Sequence, residues 1–286
     1  MTTQSNFTDI DRHYTGSGSL LERIETALRV AGKDLNALQV DDLAPVDEFH
    51  SRGRESTLEL ARLAQGKITP ATKVIDVGCG LGGTARHLTH AYNCHVTGVD
   101  LTSEFVHVGQ RLTELVGLQD RVTLYQGSAL DLPFAAGTFD VAWTEHVQMN
   151  IQDKDGFYAQ IHRVLTPGGS VFFHDIFRGS SQESPDYPLP WAEHADLSYL
   201  ATAEEARSAM EMAGLHVSQW IVKDEETLAG MTKLSEIIMS DAPPPLGLHL
   251  LLGVTGKEKI RNYVKNLSSN RITVVMGVAE KIHARL

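Results

Sequence analysis

No stretch of this 286-residue chain reaches about 18 consecutive apolar residues, so nothing in it reads as a membrane-spanning helix. Cysteine is nearly absent. Cys79 lies in a glycine loop and Cys94 precedes a strand, and both read as reduced small residues, not as a disulfide framework or a zinc site. Basic charge is in deficit: 25 Lys and Arg stand against 36 Asp and Glu, a formal net charge of −11. That balance argues against a nucleic-acid substrate and for a small molecule. The first residues, Met1 to Asp9, lack both the basic and the apolar parts of a signal peptide, so the expected address is the cytoplasm. Internal repeats and low-complexity stretches are missing too. What is there, 42% hydrophobic residues with 24 glycines and 10 prolines, suits a globular chain with one large core, or one core and an appended cap.

The most informative stretch runs from Lys73 to Thr84. Val74, Ile75 and Val77 form a short β-branched run that reads as a buried parallel strand. Gly78, Gly80, Gly82 and Gly83 break it, and a helical pattern starts at Thr84. Strand, glycine turn and helix open a nucleotide-binding βαβ unit, where glycine supplies unusual backbone angles and lets a ligand lie on the main chain. The spacing alone is ambiguous. Gly78, Gly80 and Gly83 satisfy the dinucleotide pattern G-x-G-x-x-G, whereas Asp76, Gly78, Gly80 and Gly82 satisfy the D-x-G-x-G-x-G pattern of S-adenosyl-L-methionine (SAM) enzymes. Asp76 favours the second. A carboxylate at the mouth of the turn would repel a pyrophosphate on the helix N-terminus, but it suits a ligand with an ammonium, a sulfonium and no phosphate.

On these residues the chain resembles the class I, Rossmann-like SAM-dependent methyltransferases, which release S-adenosyl-L-homocysteine. The resemblance implies an α/β fold: a doubly wound, seven-stranded, mostly parallel sheet with an N-terminal helical cap and a helical lid insertion. The corresponding domains are a cap over residues 1–66, a SAM-binding core over 67–180, and the lid insertion, helices and last strands over 181–286. In that family a late strand pairs antiparallel at the sheet edge, and Arg271 to Ala279 is the candidate.

In the cap, Leu20, Ile24, Ala27 and Leu28 share one helical face that Gly32 ends. A second short helix is expected from Asp34 to Leu43, ended by Pro45, and a third from Ser56. The segment between them, Val46 to Glu55, crowds acids with His50, Arg52 and Arg54. It is either a solvated loop or one that closes over the ligands, with His50 or Arg54 meeting an anionic group. Strand two ends in Asp100, followed by Leu101, about twenty residues after Gly78, where such folds place the carboxylate for the ribose hydroxyls. The alternative use of Asp100 is as a cap for the helix beginning near Ser103, and the ribose contact is the expected one. After strand three come Ser128 and Ala129, where the family holds adenine, with Ser128 standing in place of the usual acid.

Strand four leads to Glu145 and His146 at the carboxyl rim, where ligands of open α/β sheets bind. Strand five ends with His174 and Asp175, expected to point at that rim. The polar, Pro-rich insertion from Phe177 carries Trp191 and Tyr199 as lid candidates, with Tyr14 a further aromatic from the cap. By resemblance, the cofactor set is Asp76, Gly78, Cys79, Gly80, Gly82, Asp100, Leu101, Ser128, Ala129 and Glu145.

Methyl transfer from SAM is a direct displacement, and positioning alone supplies on the order of 7–11 kcal/mol in the best intramolecular cases. It requires no metal. A base is needed only if the nucleophile arrives protonated, and His146 or His174 is the candidate, each being equally a neutral histidine hydrogen-bonded at a strand end. The cap wording resembles enzymes of the sarcosine/dimethylglycine type, so a small amine is the expected acceptor. Its carboxylate would need Arg52, Arg54 or Arg178, and Trp191 and Tyr199 would tolerate its methylammonium end. Other readings stay open: an O- or C-methyltransferase of a natural-product or quinone-like acceptor, which a mainly apolar cleft would favour, a NAD-type oxidoreductase, or a non-catalytic SAM-binding protein. The expected partner is a small-molecule methyl acceptor, without nucleic acid or membrane, and a homodimer is compatible with the sequence.

Overall fold

The computed structural model describes residues 19–240 and 242–282, so Tyr14 lies outside the described residues. Helix α1 (Leu20–Val30) starts where Ser19 accepts a hydrogen bond from the Glu22 N–H. Helix α2 runs from Val40 to Asp47, displaced from the expected 34–43. The Asp42 carboxylate accepts from the Gln39 N–H at 2.9 Å and so fixes the start. Pro45 is accommodated inside the helix at the loss of one backbone bond. Helix α3 (Arg54–Leu63) then leads to β1 (Lys73–Val77), α4 (Gly83–Tyr92), β2 (His95–Asp100), α5 (Ser103–Leu115), β3 (Val122–Gln126) and β4 (Phe139–Glu145). After these come α6 (Lys154–Val164), β5 (Leu165–Arg178), α7 (Ala203–Met212) and β6 (Leu215–Val222). The last elements are α8 (Asp224–Met239), α9 (His249–Leu252), α10 (Gly256–Ser268) and β7 (Ile272–Lys281).

The seven strands lie in the order β3-β2-β1-β4-β5-β7-β6. β1 to β5 are parallel, and β7 runs antiparallel to both β5 and β6. The sheet is therefore the expected seven-stranded, doubly wound one, with one difference. β7 does not end the sheet; it is inserted one place in, and β6 forms the edge. Strand order reverses between β1 and β4, and a crevice opens at the carboxyl ends there.

Both faces of the sheet are covered. Phe157, Ile161 and Met210 from α6 and α7 pack on one face against Phe173 and Phe177. Leu60 and Ala61 of α3 and Leu88 of α4 pack on the other against Val74, Trp143 and Phe172. Helices α1 and α2 meet α5 through Ile24, Leu28, Val46 and Leu112. A further apolar cluster joins Trp191, Met231, Ile260 and Tyr263 from the insertion and the helices after β6. No helix among the described residues is long and apolar enough to cross a membrane.

Lys154, at the start of α6, holds the rim loop to the insertion. Its ammonium donates to the carbonyls of Gln148, Ile151 and Tyr199. Burial draws it down to about 8 despite the pull of Asp175 and Glu205. Lys154→Met is expected to destabilise the protein by about 2–4 kcal/mol, since it strands several carbonyls at once. A lowered urea midpoint would register this, and an unchanged midpoint would refute it.

Candidate active site

The carboxyl ends of the central strands open into a cavity of about 380 Å³. One half is built on the glycine loop. The N–H groups of Gly78 and Cys79 both donate to the Val99 carbonyl, at 2.7 and 3.1 Å, which pins the loop to β2. Asp100 then closes it: Oδ2 accepts from the Gly80 N–H at 2.8 Å and Oδ1 from the Thr102 N–H at 2.9 Å. Its carboxylate thus organises the turn just before α5 and also faces the cavity. Cys79, Leu101, Ser128 and Ala129 stand on the same wall. The Ser128 hydroxyl accepts from the Leu130 N–H at 3.1 Å.

Gly82 is not on this wall. It precedes α4 with φ +77°, and a Cβ there would stand 2.9 Å from Leu124 Cδ1, so packing on β3 and backbone angle explain the glycine.

Asp76 is buried at the cavity floor, and its Oδ2 has no hydrogen-bond partner. Burial, followed by the nearby Glu145, Asp100 and Glu48 carboxylates, pushes it well above the usual carboxylate range. An orphaned acid facing a cavity is satisfied by a cationic ligand, and the loop beside it leaves room for a ligand on the main chain. These residues fit SAM, whose ammonium and sulfonium are positive and which carries no phosphate.

The other half is reached past Glu145, at the end of β4. Its Oε1 accepts from Trp143 Nε1 at 2.8 Å and from the Thr84 hydroxyl at 3.2 Å. Oε2 lies 3.2 Å from His174 Nδ1 and 3.5 Å from His50 Nδ1. Burial pushes this carboxyl up. Attraction to His50, with the hydrogen bond and charge of His174 and the Trp143 N–H, outweighs burial and holds it at about 2.

His146 follows in the left-handed region at φ +54°, a conformation few non-glycine residues adopt. Its N–H donates to the His174 carbonyl at 2.8 Å, and its Nε2 sits 3.0 Å from the Ser51 hydroxyl. Burial, then His174 and His50, press it well below the ordinary imidazole value.

His174 and Asp175 do not share the rim as expected. Successive strand residues face opposite sides. His174 turns inward to Glu145, while Asp175 accepts from the N–H groups of Val147 and Gln148 at 3.1 and 3.0 Å.

His50, Trp191 and Tyr199 line this other half, and the Trp191 indole N–H donates to Ser198 at 2.9 Å. Arg54 does not reach it. Its guanidinium is taken by Glu48 and by Asp41 at 2.8 Å, and it lies against His87. Arg52 is similarly engaged by Glu59 at 2.8 Å. Among the described residues that line the cavity there is no lysine or arginine, whereas Asp47, Glu48, Asp76, Asp100, Glu145 and Asp153 are all there.

The sequence reading missed the wall opposite, where Met149, Met231, Leu252, Ile260 and Tyr263 make the acceptor half mainly apolar. Their helical spacing is the only signal they carry, and it reads as ordinary core. Ser51 was missed too.

The family model described as a methyltransferase domain matches residues 75–173. The chain is 36% identical over 114 residues to the glycine/sarcosine/dimethylglycine N-methyltransferase of Actinopolyspora halophila, a match covering 40% of this chain and 20% of that protein. It is 32% identical over 245 residues to the sterol 24-C-methyltransferase of Yarrowia lipolytica, covering 75% of this chain and 63% of that one. Three of the curated relatives it matches are spanned over only 20%, 40% and 34% of their length. Among solved structures, the geranyl diphosphate C-methyltransferase of Streptomyces coelicolor A3(2) superposes with a TM-score of 0.70 at 19% identity, covering 99% of this chain and 100% of that one. Over residues 75–173 the chain matches a methyltransferase domain, and its fold is the one seen in that structure.

Proposed function

We propose that the protein is a SAM-dependent small-molecule methyltransferase that moves a methyl group by in-line displacement to a hydroxyl on an uncharged, largely apolar scaffold. The observation that carries the acceptor class is the wall itself: apolar side chains face the acceptor, and no cationic side chain among the described lining residues awaits an anion.

SAM supplies an electrophilic methyl on a sulfonium centre. Asp100 and the Gly78–Gly80 backbone would hold its ribose and amino-acid ends, and Asp76 would balance its charge. Glu145, kept ionised, lies at the junction of the two halves and favours positive charge there. His146 is the group placed to take the hydroxyl proton, with Ser51 orienting its ring; its depressed basicity keeps it neutral and ready to accept, and makes it a weak base that acts only as the methyl transfers. His174, wholly buried behind Glu145, acts through that carboxylate and not on the acceptor.

A second reading keeps the acceptor a sarcosine-type amine. The ring of acids favours it, since an ammonium would be welcome. Its carboxylate counts against it, because that group would be desolvated among acids without a partner, a cost of several kcal/mol.

Labelled SAM offered with hydroquinones and simple phenols, and separately with glycine, sarcosine and dimethylglycine, separates the two. Transfer to the phenolic set at least about tenfold faster is expected, and faster turnover of the glycine series would reverse the assignment. His146→Gln is expected to lower kcat by about 10²–10⁴-fold while S-adenosylhomocysteine still binds.

A further inference from the structure

Three buried side chains that are remote in sequence converge where the two halves of the cavity meet. His50 comes from the turn before α3, Glu145 from the end of β4 and His174 from β5. One donor atom from each lies within 4.8 Å of the other two. Glu145 Oε2 is the pivot, 3.5 Å from His50 Nδ1 and 3.2 Å from His174 Nδ1; His50 Nδ1 also meets the Ser56 hydroxyl at 3.1 Å, a contact that an ion would replace. We propose that these three residues form a binding site for a divalent transition-metal ion.

The donor spacing supports this. Ligands bonded at about 2.0–2.2 Å sit roughly 3–4 Å from each other around one ion, a range both distances to Glu145 already meet, while the two histidine donors lie within 4.8 Å and would draw together around it. The two imidazole rings stand nearly perpendicular, at 84°, with centroids 6.0 Å apart. They therefore approach the carboxylate from different directions and do not stack.

The donor set selects the ion. Two imidazoles and one carboxylate suit zinc, cobalt, nickel or iron, and are poor partners for magnesium or calcium, which prefer oxygen.

A supporting layer is also built. Trp143 Nε1 and Thr84 hold the other oxygen of Glu145, which leaves Oε2 to point at the histidines. The second ring nitrogen of His50 faces the Thr57 hydroxyl at 3.3 Å and Glu48 Oε2 at 3.7 Å. A carboxylate behind a histidine is the arrangement that fixes the tautomer and raises the basicity of metal-bound imidazole.

Among the described residues three protein donors converge, and His50 and Glu145 both line the cavity, so the remaining coordination positions open towards the acceptor. An ion there would hold an acceptor oxygen beside the methyl donor and make its hydroxyl more acidic. That consequence rests on the proposed methyl transfer; the binding itself does not.

The alternative is that the same groups are only a hydrogen-bonded triad, and the following experiment decides between them. The full chain, freed of metal with EDTA and dialysed, is titrated calorimetrically with zinc chloride, cobalt chloride and magnesium chloride. S-adenosylhomocysteine is titrated in parallel on the same preparation. One zinc or cobalt per chain is expected, with a raised melting temperature, while magnesium has no effect. Bound cobalt is expected to give visible d–d bands without a sulfur-to-cobalt charge-transfer band. His50→Gln and Glu145→Gln, checked for folding by circular dichroism, are each expected to weaken zinc binding at least 100-fold. The proposal is overturned if zinc and cobalt give neither heat nor stabilisation, if a sulfur band places cobalt on a cysteine, or if folded variants bind zinc as tightly as the parent. S-adenosylhomocysteine binding without zinc binding would reject the metal site and leave the methyltransferase reading standing.

Discussion

Replacing Asp47 with Ala is expected to cost about 3–5 kcal/mol of folding stability, because it leaves a guanidinium uncompensated in the interior. Asp47 ends α2, and its Oδ2 accepts from Arg86 Nη2 at 2.7 Å, both side chains being fully buried. Arg86 also donates from Nη1 to the Gly109 carbonyl at 3.1 Å and the Thr113 hydroxyl at 3.0 Å, both on α5. One residue of α4 thus ties three helices together directly behind the glycine loop. The Asp47 backbone is equally committed, since a Cβ added at Gly83 would stand 2.3 Å from the Asp47 carbonyl oxygen. Loosening Asp47 therefore frees Glu48 to Ser51, which carry His50 into the cavity. Urea denaturation followed by circular dichroism measures the loss, and a change below about 1 kcal/mol would show that the pair is not the tie described. Adding Arg86→Met to Asp47→Ala should recover a large part of the loss, because an apolar side chain in that space needs no partner.

Gly78→Ala is expected to weaken S-adenosylhomocysteine binding by about 100-fold, or close to 3 kcal/mol. Two costs coincide at this position. Its φ of +78° is unfavourable for any residue with a Cβ, by roughly 1–2 kcal/mol. The new methyl would also lie 2.2 Å from Val147 Cγ2. Val147 is β-branched and short, and the Asp175 carboxylate holds its N–H, so it cannot swing aside. The loop from His146 to Met149 would have to retreat, widening the junction between cofactor and acceptor. Calorimetry on the folded variant tests this, and retention of affinity within a factor of about three would mean that the loop yields more easily than its hydrogen bonds imply.

The two substitutions also mark how far the chain could be read without coordinates. Lys73 to Thr84 was legible because strand, turn and helix are contiguous, and each glycine reports a local backbone requirement. Ser19 and Thr202 start their helices by equally local means, each side chain accepting from the N–H three residues on. The expected helix over 34–43 lies further on because Pro45 does not stop it and the local partnership of Gln39 with Asp42 sets its start.

What could not be read depends on contacts across long stretches. Arg54 is available to a ligand on sequence alone, but Glu48 and Asp41, earlier in the chain, surround its guanidinium. Met231, Leu252, Ile260 and Tyr263 show the same apolar periodicity whether they face a core or a chamber. The meeting of His50, Glu145 and His174 has no spacing at all, since it exists only where a turn crosses two strand ends.

The position of β7 has a consequence for how the protein is assembled on the ribosome. β5 and β6 are both made before the strand that joins them, and neither pairs with the other. Until residues 272–281 emerge, the nascent sheet stops at β5 and β6 has nowhere to dock. Helices α8 to α10, which supply the apolar wall of the proposed acceptor chamber, lie in the connection that this last insertion closes. The groove for the methyl donor can therefore take shape while synthesis is still under way, whereas the chamber for its acceptor is finished only when the sheet receives its final strand.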